Sequence, residues 1–247
     1  MNETAQIIAG NWKMNLTLSQ GEAFLHEFKS LLQQSRPSRR LILAPNFTLL
    51  AGLAGDCAEL GIGLAAQNCA PQESGAFTGE TSIPMLQDVG VGCVIIGHSE
   101  RRQLFHEDDE LLCRKLKAVA AAGLEPIFCV GETLDQRRAG DAVTVVLKQL
   151  EAGLEGFAGR GLMVAYEPVW AIGTGQTATP EDARGMHYEI REFLKRRFSD
   201  GQHIPILYGG SAKPENAAAL LAQPEVNGLL VGGASLDPEA FWRIATV

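Results

Sequence analysis

The sequence predicts an α/β protein, a (β/α)8 barrel forming a single domain over residues 1–247, and three observations predict it. Eight short apolar runs recur, at 7–10, 41–44, 62–66, 93–97, 126–130, 163–166, 206–208 and 228–231, each followed by turn residues. Runs such as Cys93-Val94-Ile95-Ile96 and Gly228-Leu229-Leu230-Val231 are continuously apolar, as strands buried on both faces should be. Helical patterns stand between them. Strand and helix alternating at intervals of roughly 30 residues imply parallel strands with right-handed crossovers, and eight such units suggest closure into a barrel.

Taken in order, the first run leads through Asn11, Trp12 and Lys13 to a helix expected at 19–32. The second leads to a shorter helical piece at 48–53, and the third, past a long loop at 70–82, to another at 84–88. Longer helices are expected at 104–122 and 142–155 after the fourth and fifth runs. After the sixth, Thr179 ahead of Pro180-Glu181-Asp182 can cap a helix at 181–198, proline being tolerated in a first turn. The last two helices, at 214–222 and 238–244, come after the seventh and eighth runs, the final one capped by Asp237 before Pro238. An open, doubly wound sheet competes with the barrel, but no run is followed by GxGxxG or GxxxxGK[ST], and no Pro- or Ser-rich linker divides the chain.

Composition excludes several classes. With 46% apolar and 20% charged residues the chain can build a sizeable core, and disorder is not expected. A formal charge of −8, with arginines clustered only in pairs, argues against nucleic-acid or membrane-surface partners. No apolar stretch approaches the roughly 18 residues of a membrane helix, and the first residues lack the basic region of a signal peptide. The five cysteines are odd in number and show no CxxC spacing, so neither a disulfide framework nor a zinc cluster is expected and a cytoplasmic location is.

In a parallel barrel the segments just after the strands share one rim, where active sites are built. Here Asn11-Trp12-Lys13 comes after the first strand, His98-Ser99-Glu100 after the fourth, Glu167-Pro168 after the sixth, Gly209-Gly210-Ser211 after the seventh and Gly232-Gly233 after the eighth. A carboxylate, an imidazole, an ammonium and two glycine pairs thus converge. Proline after Glu167 biases its backbone towards an extended form that projects the carboxylate from the strand end, as a base attacking a carbon-bound proton needs. Each residue alone has a plainer reading: Glu167 and Lys13 as solvated side chains, His98 as a hydrogen-bonded structural residue, the glycines as turns.

The segments AGNWKMN (9–15), GAFTGE (75–80), IIGHSERR (95–102), AYEPVWAIGTG (165–175), YGGS (208–211) and LVGGASL (230–236) resemble the signature segments of the triosephosphate isomerase family, in the family's order and over essentially the whole chain. The resemblance implies a TIM barrel that interconverts D-glyceraldehyde 3-phosphate and dihydroxyacetone phosphate through an enediolate, without metal or cofactor. It implies Glu167 as base and His98 as electrophile, a pairing for which triosephosphate isomerase is itself the reference example. The start of the next helix at Ser99 and Glu100 is expected to lower the histidine's pKa. Lys13 would stabilise phosphate and enediolate oxygen, Asn11 would donate to substrate, and Glu100 would pair with the lysine.

Gly173, Ser211, Gly232 and Gly233 are the expected phosphate donors, since glycine lets backbone N–H groups approach an anion closely. Pro168, Val169, Trp170, Ala171, Ile172, Gly173, Thr174, Gly175, Gln176, Thr177 and Ala178 resemble the family's lid, which excludes water from the intermediate. Gln176 stands where the family commonly has lysine, which puts lid kinetics in question. Tyr208 and Ser211 resemble residues that latch the closed lid. Phe77 and Thr78 lie on a long loop without a helix of its own, which in the family enters a neighbouring subunit, so a homodimer is implied. Two other functions stay open: a Schiff-base aldolase, which needs a lysine at an apolar strand end, and a sugar-phosphate-binding barrel without turnover.

Overall fold

The computed structural model describes residues 6–158, 160–171 and 178–247. The chain runs through β1 (Ile7–Asn11), α1 (Leu18–Gln34), β2 (Arg40–Ala44), α2 (Phe47–Leu60), β3 (Gly63–Ala66) and α3 (Ile83–Asp88). It continues with β4 (Cys93–Ile96), α4 (Ser99–Leu104), α5 (Asp109–Ala121), β5 (Glu125–Val130), α6 (Leu134–Arg138) and α7 (Ala142–Gly153). β6 (Met163–Tyr166), α8 (Pro180–Arg197), β7 (Ile206–Tyr208), α9 (Ala217–Leu221), β8 (Gly228–Val231) and α10 (Pro238–Thr246) complete it. The eight strands are parallel and close in sequence order, β1 pairing with both β2 and β8. The fold is therefore the (β/α)8 TIM barrel.

Successive strand residues point to opposite faces, which splits the core in two. Ile7, Ala9, Ile42, Ala44, Ala65, Cys93, Ile95, Ile127, Cys129, Met163, Ala165, Leu207 and Leu230 form the inner cluster. Their neighbours Ile8, Leu43, Val94, Phe128, Val164 and Leu229 belong to the outer cluster, with Phe24, Phe28, Leu116, Leu150, Ile190 and Phe241 from the helices. All five cysteines are free and buried.

Several helices differ from expectation. The second is not a short piece at 48–53 but the 14 residues of α2, because Leu49, Leu50, Leu53, Cys57 and Leu60 keep a buried stripe going past two glycines. The helix expected at 104–122 begins only at Asp109, as α5: Leu104 instead ends the short α4, His106 takes a left-handed φ of 55°, and Asp108 caps α5 through the Leu111 amide. α6 is additional to the expected helices, with Thr133 and Gln136 forming a reciprocal cap at its start. α9 begins at Ala217, three residues later than expected from 214.

Candidate active site

The inner register carries the first site residues. Counting by twos from Ile7 and Ala9 reaches Asn11, and from Met163 and Ala165 reaches Glu167, so both continue the inward-facing series at the mouth. Asn11 is 5% and Glu167 1% exposed. The Glu167 amide donates to Val130 O at 2.8 Å, extending the β5–β6 pairing by one residue.

His98 does not follow from alternation, since Gly97 would hold the next inward position after Ile95. Gly97 has a φ of +76°, a left-handed conformation that ordinary side chains disfavour, and this bend redirects the chain so that His98 becomes the N-cap of α4. The Glu100 amide donates to His98 Nδ1 at 3.3 Å. Nδ1 therefore keeps its lone pair, and the ring proton belongs on Nε2, which lies 2.9 Å from Glu167 Oε1. The Ser99 amide donates to Glu167 Oε2 at 2.8 Å.

This geometry corrects the expected shift of His98. Burial works to lower its pKa, but the charge and hydrogen bond of Glu167, with Glu100 adding, outweigh burial and hold it above the ordinary imidazole value. Glu167 is the complement: burial would raise its pKa, yet His98, the Ser99 amide and Lys13 hold it below the ordinary carboxylate value. In this arrangement the carboxylate is ionised and engaged by His98 Nε2 and by the amide and hydroxyl of Ser99.

Lys13 has a φ of 52°, rare for a side-chain-bearing residue. The turn is pinned on both sides: Asn11 Oδ1 accepts from the Lys13 amide at 3.0 Å, and Gln67 Nε2 donates to Lys13 O at 2.8 Å and to Ala44 O at 2.8 Å. Its ammonium lies 2.7 Å from Glu100 Oε1. Trp12 between them is fully buried against Phe24, with its indole N–H on Ser235 O at 2.9 Å. Ser235 in turn bonds Gly232 O through both amide and hydroxyl, which fixes the eighth loop.

Asn11, Lys13, His98, Glu167, Ser211, Gly232 and Gly233 line one cavity of about 500 Å³. A family model described as triosephosphate isomerase matches residues 6–247. The chain is 48% identical over 242 residues to a triosephosphate isomerase of Synechococcus sp. (strain JA-3-3Ab), a match covering 96% of this chain and 93% of that protein.

The chain belongs to the triosephosphate isomerase family.

Other members of that family are similarly near. The triosephosphate isomerase of Syntrophotalea carbinolica is 48% identical over 242 residues, covering 96% of each chain. That of Aquifex aeolicus is 45% identical over 242 residues, covering 97% of this chain and 98% of that one.

Of the lid residues, Ile172, Gly173, Thr174, Gly175, Gln176 and Thr177 lie outside the described residues, and with them the expected phosphate donor Gly173 and the lysine-to-glutamine departure. Pro168 comes directly after Glu167, Val169–Ala171 form a 3-10 turn, and Ala178 is buried just before α8. Tyr208 has a buried hydroxyl with no hydrogen-bond partner among the described residues, behind Gly210. Phe77 is exposed, as is Thr78 beside it.

Three further rim residues lie outside the segments that the motifs mark. Gln67, just past β3, holds the Lys13 turn. Glu132, just past β5 and fully buried, accepts from Trp170 Nε1 at 2.8 Å and Tyr166 Oη at 3.1 Å, with Arg137 at 3.3 Å. Both stand at strand ends, so the rule that picks out the rim at the other strands would have found them at the third and fifth. Lys213, on the cavity wall after β7, lies in a segment with no such signal. Among the described residues, no three His, Cys, Asp or Glu side chains gather closely enough to hold a metal ion.

Proposed function

We propose that this chain performs its family's reaction, interconverting D-glyceraldehyde 3-phosphate and dihydroxyacetone phosphate in glycolysis and gluconeogenesis, with Glu167 as the base, His98 as the electrophile and Lys13 as the anion-stabilising cation. The observation that carries the residue assignment is the meeting of these three side chains in one cavity, with His98 Nε2 2.9 Å from Glu167. Glu167 removes a proton from the carbon beside the substrate carbonyl. The Nε2–H of His98 donates to the carbonyl oxygen as charge gathers there, and the imidazole then relays protons between the two oxygens of the enediol(ate). Lys13 offsets negative charge on the intermediate and the phosphate, while Asn11 donates to substrate.

Reaction requires Glu167 to leave His98 and Ser99 for the carbon. Losing those partners removes what holds its pKa down, while burial, which raises it, remains, so the carboxylate becomes the stronger base the step needs. His98 simultaneously loses the charge that lifts its pKa but keeps the Glu100 amide on Nδ1, and so acts as a neutral donor. The phosphate is assigned to Ser211 and the backbone of Gly232 and Gly233, with Gly173 from the lid. Pro168 to Ala178 close over it, Tyr208 and Ser211 latching them, and Ser99 and Glu100 support the base and the lysine.

The functional unit is a single-domain homodimer in the cytoplasm. Support for the dimer comes from exposed apolar side chains, Met14 at 94%, Met85 at 58% and Phe77 at 45%, the last on a loop whose residues 72–80 are all exposed in one chain. A coupled assay with the purified protein tests the reaction, and solution mass tests the dimer. Absence of turnover by folded protein would leave only sugar-phosphate binding. Replacing Glu167 by Gln should lower kcat by about 10²–10⁴-fold, the usual worth of a positioned base. Undiminished turnover in that variant would remove Glu167 from its role.

A further inference from the structure

A second cavity of about 110 Å³, which shares only Glu167 with the lining of the large one, is lined by residues that include Gly97, Ser99, Gly131 and Gln149. Two of these hold the main chain beside Glu167. β5 ends at Val130, so the backbone N–H and C=O of Gly131 fall just beyond the ladder. Gln149 of α7 takes both: its Oε1 accepts from the Gly131 amide at 2.8 Å and its Nε2 donates to Gly131 O at 3.0 Å. One primary amide thereby acts as the missing strand neighbour.

Gly131 is where this clamp meets the base. A Cβ added there would stand 1.8 Å from Glu167 O and 3.2 Å from Glu167 Cβ, so the Gly131 backbone is packed directly on the Glu167 peptide. Displacing it displaces Glu167.

We infer that Gln149 is a positioning residue for the reaction: by clamping Gly131 it sets where the Glu167 main chain sits, and hence where the carboxylate can reach. A misplacement of about 1 Å caused by a residue remote from the chemistry can cost on the order of 10²-fold in rate. The inference rests on Glu167 being the base.

The test compares full-length Gln149→Met, Gln149→Glu and Glu167→Gln with the unaltered chain, measuring kcat and KM for glyceraldehyde 3-phosphate across about pH 4–8.5, a range that spans both ordinary and raised carboxyl pKa values, and checking folding by near-UV circular dichroism at each pH. Gln149→Met removes both hydrogen bonds at similar volume and should lower kcat by about 10–100-fold, with KM changed less than about threefold. Gln149→Glu at high pH cannot donate to Gly131 O. Once protonated, its carboxyl again offers one donor and one acceptor, so the shortfall relative to the unaltered chain should shrink as pH falls.

A folded Gln149→Met variant within about twofold of normal kcat at about pH 8, a loss confined to KM, or a Gln149→Glu ratio that does not vary with pH would each overturn the inference. If Gln149→Met fails to fold, the pH ratio of Gln149→Glu decides alone. Failure of both to fold at every pH would make Gln149 a structural residue and overturn it too. Retained activity in Glu167→Gln would instead break the assignment of the base. Collapse of that variant beside active Gln149 variants would sink only the present inference.

Discussion

The two ends of the barrel handle buried charge in opposite ways. At the bottom, Arg191 of α8 is 1% exposed and bonded through all three nitrogens: Nε on Glu225 at 2.7 Å, Nη1 on Gly201 O at 2.6 Å and Ile204 O at 2.7 Å, Nη2 on Asn227 at 2.8 Å. These partners lie just ahead of β7 and β8, so the guanidinium pins the starts of two strands. At the mouth, Glu167 is as deeply buried but is held by bonds that the proposed reaction has it release, and Lys13 sits on a left-handed backbone. The bottom commits its polar groups to rigidity; the mouth keeps them available for a substrate.

Substitutions should separate the ends. The largest effect belongs to Glu167→Gln, whose kcat loss of about 10²–10⁴-fold should far exceed its effect on unfolding free energy, because the amide keeps the shape of the carboxylate and an acceptor for the Ser99 amide. A denaturation midpoint falling in step with the rate would merge the two ends. Arg191→Met reverses the pattern. It leaves buried carbonyls and Asn227 without their donor and should cost about 3–5 kcal/mol of stability while kcat per folded molecule is unchanged, measured by urea unfolding and active-site titration.

One turn before Arg191, His187 is fully buried, with Nδ1 bonded to Glu225 O at 3.0 Å. Burial is the main cause of a pKa pushed down to about 4, the Glu225 carbonyl opposing it and Arg191 adding to it. Between pH 6.5 and about 4 the unfolded chain binds a proton here that the folded chain refuses, so stability falls as pH falls through that window and then levels off. The loss attributable to this group reaches about 3 kcal/mol. His187→Gln should flatten that part of the stability–pH curve; an unchanged slope would mean that another group dominates acid unfolding. The smallest effect is expected for Trp12→Phe, which removes the indole bond to Ser235 O and should cost about 1–2 kcal/mol, read as a lower midpoint of thermal unfolding.

Much of the mouth is legible in the residues. Continuous apolar runs locate every strand, and the polar residues at the ends of those runs include Asn11, Lys13, His98 and Glu167. Glu167 and Asn11 can be placed by counting in twos. His98 cannot, because its direction depends on the φ of Gly97, which a sequence shows only as a glycine. The length of α2 is hidden because Gly52 and Gly55 read as breakers, whereas Leu53, Cys57 and Leu60 bury enough surface to carry the helix through them. Gln67 and Glu132 show in the sequence as polar residues at strand ends but without the partners they serve, and Gln149, in the middle of a helix, is silent altogether, because its partnership with a backbone exists only in three dimensions. The sign of the His98 shift is hidden likewise, since it depends on the Glu167 carboxylate turning towards the imidazole.

Lys13 has a consequence for anyone engineering this enzyme. At a φ of 52° a lysine is conformationally disfavoured, and glycine or asparagine would relieve a penalty of about 1–2 kcal/mol. A screen that selects only for heat tolerance would therefore be drawn to this position, and its hardiest survivors would carry an intact barrel without the cation on which the proposed reaction relies.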